Sequence, residues 1–137
     1  MTLLGFSILT LAQILFAAFN GILFTQSGLN KVFDYQGNLS YLRDYFKASP
    51  FASWVGVLMP TITVLEVAAG GVSLLGTVLL LLDHDSGSTF GAVGMLLGAV
   101  SMTSLFLGQR IAKDYAGAAG SVPYFLMTVV GLLLYHF

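Results

Sequence analysis

Long apolar stretches broken by short polar clusters set the pattern of this chain. Residues 1–30, 86–109 and 115–137 carry no charged side chain, and between Ala48 and Leu82 the only one is Glu66. Each stretch is long enough to cross a hydrocarbon core as a helix, which takes roughly 20 predominantly apolar residues. The pattern predicts four membrane spans, approximately 3–31, 52–82, 90–109 and 122–137, within a single integral membrane domain over residues 1–137. Between the first two spans, Leu39, Leu42 and Phe46 recur at spacings of three and four, while Arg43, Asp44 and Lys47 turn elsewhere. With the rings of Tyr41 and Tyr45, that stripe predicts a short helix over residues 38–47 lying in the headgroup layer and ended by Pro50. The fold class is therefore all-α: a four-transmembrane-helix bundle with a short interfacial helix between helices 1 and 2.

Within the spans, three features refine this reading. Pro60 removes one intrahelical hydrogen bond and predicts a kink in the second span. Pro123 suits the first turn of the fourth. Gly91, Gly94 and Gly98 give the third span a flat face that another backbone can approach closely, with packing inside the bundle as the expected use.

Composition strengthens the membrane assignment. The chain is 57% hydrophobic and 8% charged, against about 25% charged for an ordinary soluble domain. A net charge of −1 gives no basic surface for nucleic acid. Without cysteine, the chain alone supports no thiol redox chemistry and no iron–sulfur cluster. Its two histidines, His84 and His136, lie at span boundaries rather than mid-span, which argues against haem, and the Asp83-His84-Asp85 run is too local to form a metal site unaided. The chain is thus expected to carry no metal or cofactor by itself.

Charge also orients the chain. All five basic residues, Lys31, Arg43, Lys47, Arg110 and Lys113, fall in the connections after the first and third spans. The positive-inside rule places those connections in the cytoplasm and both termini away from it. The expected setting is a multi-pass protein of a bacterial cytoplasmic membrane.

Glu66 is the residue that packing does not explain. It falls about 12 to 16 Å into the bilayer by helical rise, where an acid costs about 2.5 kcal/mol or more and is usually functional or paired. Counting depth along the other spans puts Asn20, Ser101 and Thr128 near the same level, and Thr63, Gly70, Ser73 and Thr77 share its helix face. The expectation is an intramembrane polar site of Glu66, Asn20, Lys31, Ser101 and Thr63, with Lys31 joining only if the first helix runs past it. A second polar cluster, Arg110, Lys113, Asp114 and Tyr115, is expected on the cytoplasmic side. No catalytic residue is indicated.

At this point the chain resembles the DoxX family of small four-helix membrane proteins. The likeness is carried by GILFTQSGLNKVFDYQGNLSYL, by LEVAAGGVSLLG and by GQRIAKDYAGA leading into a last apolar helix. It places the family's glycine and lysine at Gly28 and Lys31, and its glutamate before a small-residue run at Glu66, Gly70 and Gly71. The resemblance implies a membrane subunit or partner of a redox enzyme complex, respiratory or sulfur-linked, with quinone as the associated cofactor and no catalysis by this chain alone. The absence of cysteine departs from any thiol-based version. Two other classes stay open: an assembly or stability factor binding other membrane proteins, and a small proton-coupled carrier using Glu66. Expected partners are the bilayer and other membrane subunits or further copies of the chain.

Overall fold

The computed structural model describes all 137 residues. It contains five helices in chain order: α1 (Ile8–Phe33), α2 (Tyr35–Tyr45), α3 (Val55–Leu81), α4 (Gly87–Ile111) and α5 (Tyr115–Leu134). Helices α1, α3, α4 and α5 are long and apolar enough to cross a membrane, and the protein is a multi-pass four-helix bundle. A one-turn 3-10 segment, Ala52–Trp54, leads into α3.

The helix ends differ from the sequence reading in ways that have local causes. The first span was expected from residue 3, but α1 begins at Ile8. Residues before it form a short antiparallel hairpin, Thr2–Leu3 against Phe6–Ser7, turned by Leu4 and Gly5 at φ of 55° and 83°. Ser7 then caps α1, its Oγ accepting from the Thr10 N–H at 3.1 Å. The fourth span was expected from residue 122 with Pro123 in its first turn. Instead α5 starts at Tyr115, because Asp114 accepts the Gly117 N–H at 3.0 Å and caps the helix earlier. Pro123 therefore lies inside α5. The connection after α4 shrinks to Ala112–Asp114, with Lys113 turning it at a φ of 61°. α3 runs as one helix through Pro60.

Glycines set the register of the bundle. A Cβ on Gly21 would meet Leu74, and one on Gly28 would meet Val67 and the Glu66 backbone. Carrying that antiparallel register onward brings the end of α1 level with about Ile62. The first turns of α3 therefore extend beyond α1, which resolves why the second apolar run is longer than one span. They are covered by α2: Leu39 and Phe46 are buried with Val55 and Met59. The amphipathic stripe of α2 packs onto protein rather than onto acyl chains alone. Helix α4 lies against α3 through Gly76 facing Gly91 and Gly94 facing Ser73. The glycine face of α4 is used inside the bundle.

The two ends of the bundle are chemically distinct. One end gathers α2 and the α4–α5 turn, joined by a hydrogen bond from the Tyr45 hydroxyl to Asp114 Oδ2 at 2.7 Å. The other end joins both termini: Gln13 Nε2 donates to the Leu134 carbonyl at 2.9 Å, and the Tyr135 hydroxyl donates to the Gln13 carbonyl at 2.9 Å.

Candidate functional site

Lys31 stands one helical turn after Ser27, so both side chains share one face of α1. Because α1 continues to Phe33, that face reaches Glu66 on α3. Lys31 Nζ lies 2.9 Å from Glu66 Oε2 and 3.0 Å from Ser27 Oγ, and Ser27 Oγ donates to the same Glu66 oxygen at 2.8 Å. Glu66 is 1% exposed. A carboxylate this deep is tolerated because an ammonium and a hydroxyl surround one of its oxygens. The third ammonium hydrogen of Lys31 reaches only the Ser27 carbonyl, at 3.5 Å.

Asn20, which depth counting set beside Glu66, belongs to a separate network. Its Nδ2 donates to Ser73 Oγ at 2.8 Å and to the Gly94 carbonyl at 3.1 Å, linking α1, α3 and α4. Ser101 and Thr63 are buried, but each hydroxyl donates to its own helix, to the Leu97 and Met59 carbonyls respectively. Thr128 does the same toward the Phe125 carbonyl. The expected five-residue patch therefore separates into the Lys31–Ser27–Glu66 cluster, the Asn20 network and two self-satisfied hydroxyls. The depth expected for Asn20 was wrong: it shares the α1 face of Ser27 and Lys31 but lies two turns before Ser27, level with Ser73 rather than Glu66. Ser27 is the bridging residue that sequence reasoning missed, although its four-residue spacing from Lys31 was the available signal.

Two cavities flank the ion pair. One, of about 420 Å³, lies under α2, with Lys31 on its wall among Tyr41, Tyr45, Phe46 and Leu65. The other, of about 280 Å³, is a cleft between α1 and α5 lined by Ser27 and Glu66. Gln109 and Leu105 line both. Gln109 Oε1 accepts from Ser121 Oγ at 2.6 Å, tying α4 to α5 beside the cleft.

The second expected cluster is distributed around the α4–α5 turn. The Arg110 guanidinium sits 4.6 Å from the Tyr115 ring centroid, a cation–π contact. Asp114 both caps α5 and accepts from Tyr45, and these two bonds, the Tyr45 one foremost, hold its carboxyl below the usual range. Burial first, then the bond to Asp114, raise the Tyr45 phenol well above its ordinary value. Lys113 is exposed and serves the turn.

These shifts have opposite signs and define a window. A depressed acid stabilises the fold above its ordinary pKa and loses that contribution as pH falls through the lowered one. A raised phenol contributes below its ordinary pKa and loses it as pH rises through the raised one. Spin labels at Arg43 and Lys113 should therefore give one narrow distance between about pH 4 and pH 10. The distribution should broaden only as pH falls through the lowered Asp114 value or rises through the raised Tyr45 value, and Tyr45→Phe should broaden it throughout. A variant as narrow as wild type would show that this bond does not hold α2.

Comparison with family models, curated proteins and solved structures gives no match, so the likeness to the DoxX family rests on the motifs in the chain itself.

Proposed function

We propose that this chain is a non-catalytic membrane subunit or partner of a redox enzyme complex, respiratory or sulfur-linked, and that it holds a quinone ring in the cavity under α2. The observation carrying this reading is the apolar, aromatic-walled cavity with Lys31 on its wall. A quinone needs donors for its carbonyl oxygens beside an apolar groove. The weakly engaged third hydrogen of Lys31 and the Gln109 amide, whose nitrogen has no protein partner, supply them. Purification in mild detergent, followed by quinone extraction and mass spectrometry of associated chains, tests the proposal. Thr61 lines the cavity and bonds only to the Val57 carbonyl of its own helix, so Thr61→Phe should fill the cavity and lower quinone retention about tenfold, the loss of roughly 1.4 kcal/mol. Unchanged retention, or no quinone in wild type, would reject the site.

In the same reading the protein resides in a bacterial cytoplasmic membrane with both termini facing outward, since every basic residue lies at the α2 end. A C-terminal reporter that fluoresces only in the cytoplasm should stay dark; a bright fusion with the bundle intact would reverse the orientation. A proton-coupled carrier is the second reading, favoured by Glu66 lining the cleft. An assembly factor acting through the α4 glycines has less support, because those glycines pack internally.

A further inference from the structure

Glu66 presents two different oxygens. Oε2 takes both Lys31 and Ser27, while Oε1 accepts no hydrogen bond from the protein. The residue is 1% exposed and lines the α1–α5 cleft. Gln109 and Tyr124 also line the cleft, and the Gln109 amide nitrogen and the Tyr124 hydroxyl have no protein partners. The rest of the wall is apolar or small, with Leu23, Phe24 and Gly120. We propose that this cleft binds an uncharged amphiphile whose head donates a hydrogen bond, an alcohol or primary amide, to Glu66 Oε1, while its tail leaves between α1 and α5 into the bilayer.

Charge selects the neutral class. Lys31 already balances Glu66, so a second cation would be buried without its own counter-ion, and an anion would face Glu66 Oε1 directly. Size selects a compact head. The cleft measures about 280 Å³, just below the roughly 300 to 1,000 Å³ of sites that enclose whole drug-sized ligands. Polarity selects a donor, because the oxygen that Glu66 leaves unbonded is an acceptor, with Gln109 able to donate to the same head group. This site goes beyond the quinone reading: it occupies the other cavity and demands a donor where a quinone carbonyl demands one from the protein.

The test uses full-length protein in detergent and a dodecanol bearing a mid-chain diazirine. Photolysis should label segments 23–27 and 117–124, and excess dodecanol or dodecanamide should suppress it. Dodecyl methyl ether, with the same body and no O–H, should compete about tenfold less well. Dodecanoate and dodecylammonium should not compete. A Cβ on Gly120 meets nothing within 4 Å, so Gly120→Leu should fill the cleft without disturbing the fold and reduce labelling about tenfold. Tyr124→Trp should narrow the same cleft from its rim. Gly71 also has open space around it and lies outside both cavities, so Gly71→Leu is the control and should label as wild type. Labelling elsewhere, equal competition by the ether or by either charged analogue, or full labelling in both cleft variants would overturn the proposal. Thr61→Phe should leave alcohol labelling intact, so failure here and failure of the quinone site register separately.

Discussion

Replacing Glu66 with leucine should destabilise the bundle by about 3 to 5 kcal/mol, the usual consequence of removing one partner from a buried ion pair. The variant leaves Lys31 Nζ and Ser27 Oγ without the carboxylate oxygen they share. Bonds between neutral polar groups in membranes are worth less, around 0.6 kcal/mol, but here a full positive charge is stranded. Lys31 lies in the last turn of α1, and its flexible stem offers partial escape toward water, which favours the lower end of the range. Glu66→Gln keeps an acceptor and the side-chain shape, so its cost should be smaller. The double variant Glu66→Leu with Lys31→Met removes both charges and should recover much of the loss, since buried pairs exchanged for apolar residues are often neutral or better. Reversible unfolding in mixed micelles across this set, with Lys31→Met alone as the second single variant, gives the coupling energy directly. If Glu66→Leu unfolds with wild type, or the double variant is worse than both singles, the pair does not support the fold. Loss of function in Glu66→Gln with the fold intact would instead assign the acid a chemical role.

The four spans and the all-α class were legible because a bilayer imposes one rule on every residue of a span, and charge-free runs report it directly. Helix boundaries were less legible, since they rest on single side chains. Asp114 capping α5 at Gly117 and Ser7 capping α1 at Thr10 moved two helix starts by several residues. The candidate site was half readable. Glu66 stands out as the sole charge between Ala48 and Leu82, and Lys31 was tied to it on the condition that α1 continue. The separation of Asn20 from Glu66 was not readable, because it depends on how far α1 is displaced along α3: Asn20 lies two turns before Ser27 on the same face and meets Ser73 instead. That register follows from Gly21, Gly28 and Gly70 fitting against Leu74, Val67 and Thr25, a three-dimensional match that residue spacing on one helix does not encode. The partnership of Tyr45 with Asp114 joins residues that are neighbours only after α2 folds back over α3.

Gly94 is where this backbone fit should be least forgiving. A Cβ there would collide with Ser73 Oγ and lie 2.8 Å from the Ser73 Cα and 2.9 Å from its backbone nitrogen. Backbone on both sides leaves nothing flexible to move, so α3 and α4 must separate. Separation would also loosen Asn20, which is fully buried and donates to both Ser73 Oγ and the Gly94 carbonyl. Overpacking alone costs about 1 to 3 kcal/mol, and a buried amide deprived of partners adds about 1 to 3 kcal/mol in a soluble protein and less in a membrane. Gly94→Val should therefore lose about 3 kcal/mol or more, and Gly94→Ala a smaller amount in the same direction. The alanine variant is the sharper test, because alanine exceeds glycine in helix propensity by about 1 kcal/mol and would stabilise α4 if no neighbour were close. Gly71 supplies the reference, with nothing within 4 Å of its Cβ position. Gly71→Ala should be neutral or stabilising in the same unfolding assay. Gly94→Ala matching Gly71→Ala would mean that α3 and α4 do not approach as closely as this register requires, and the placement of Asn20 between them would fall with it.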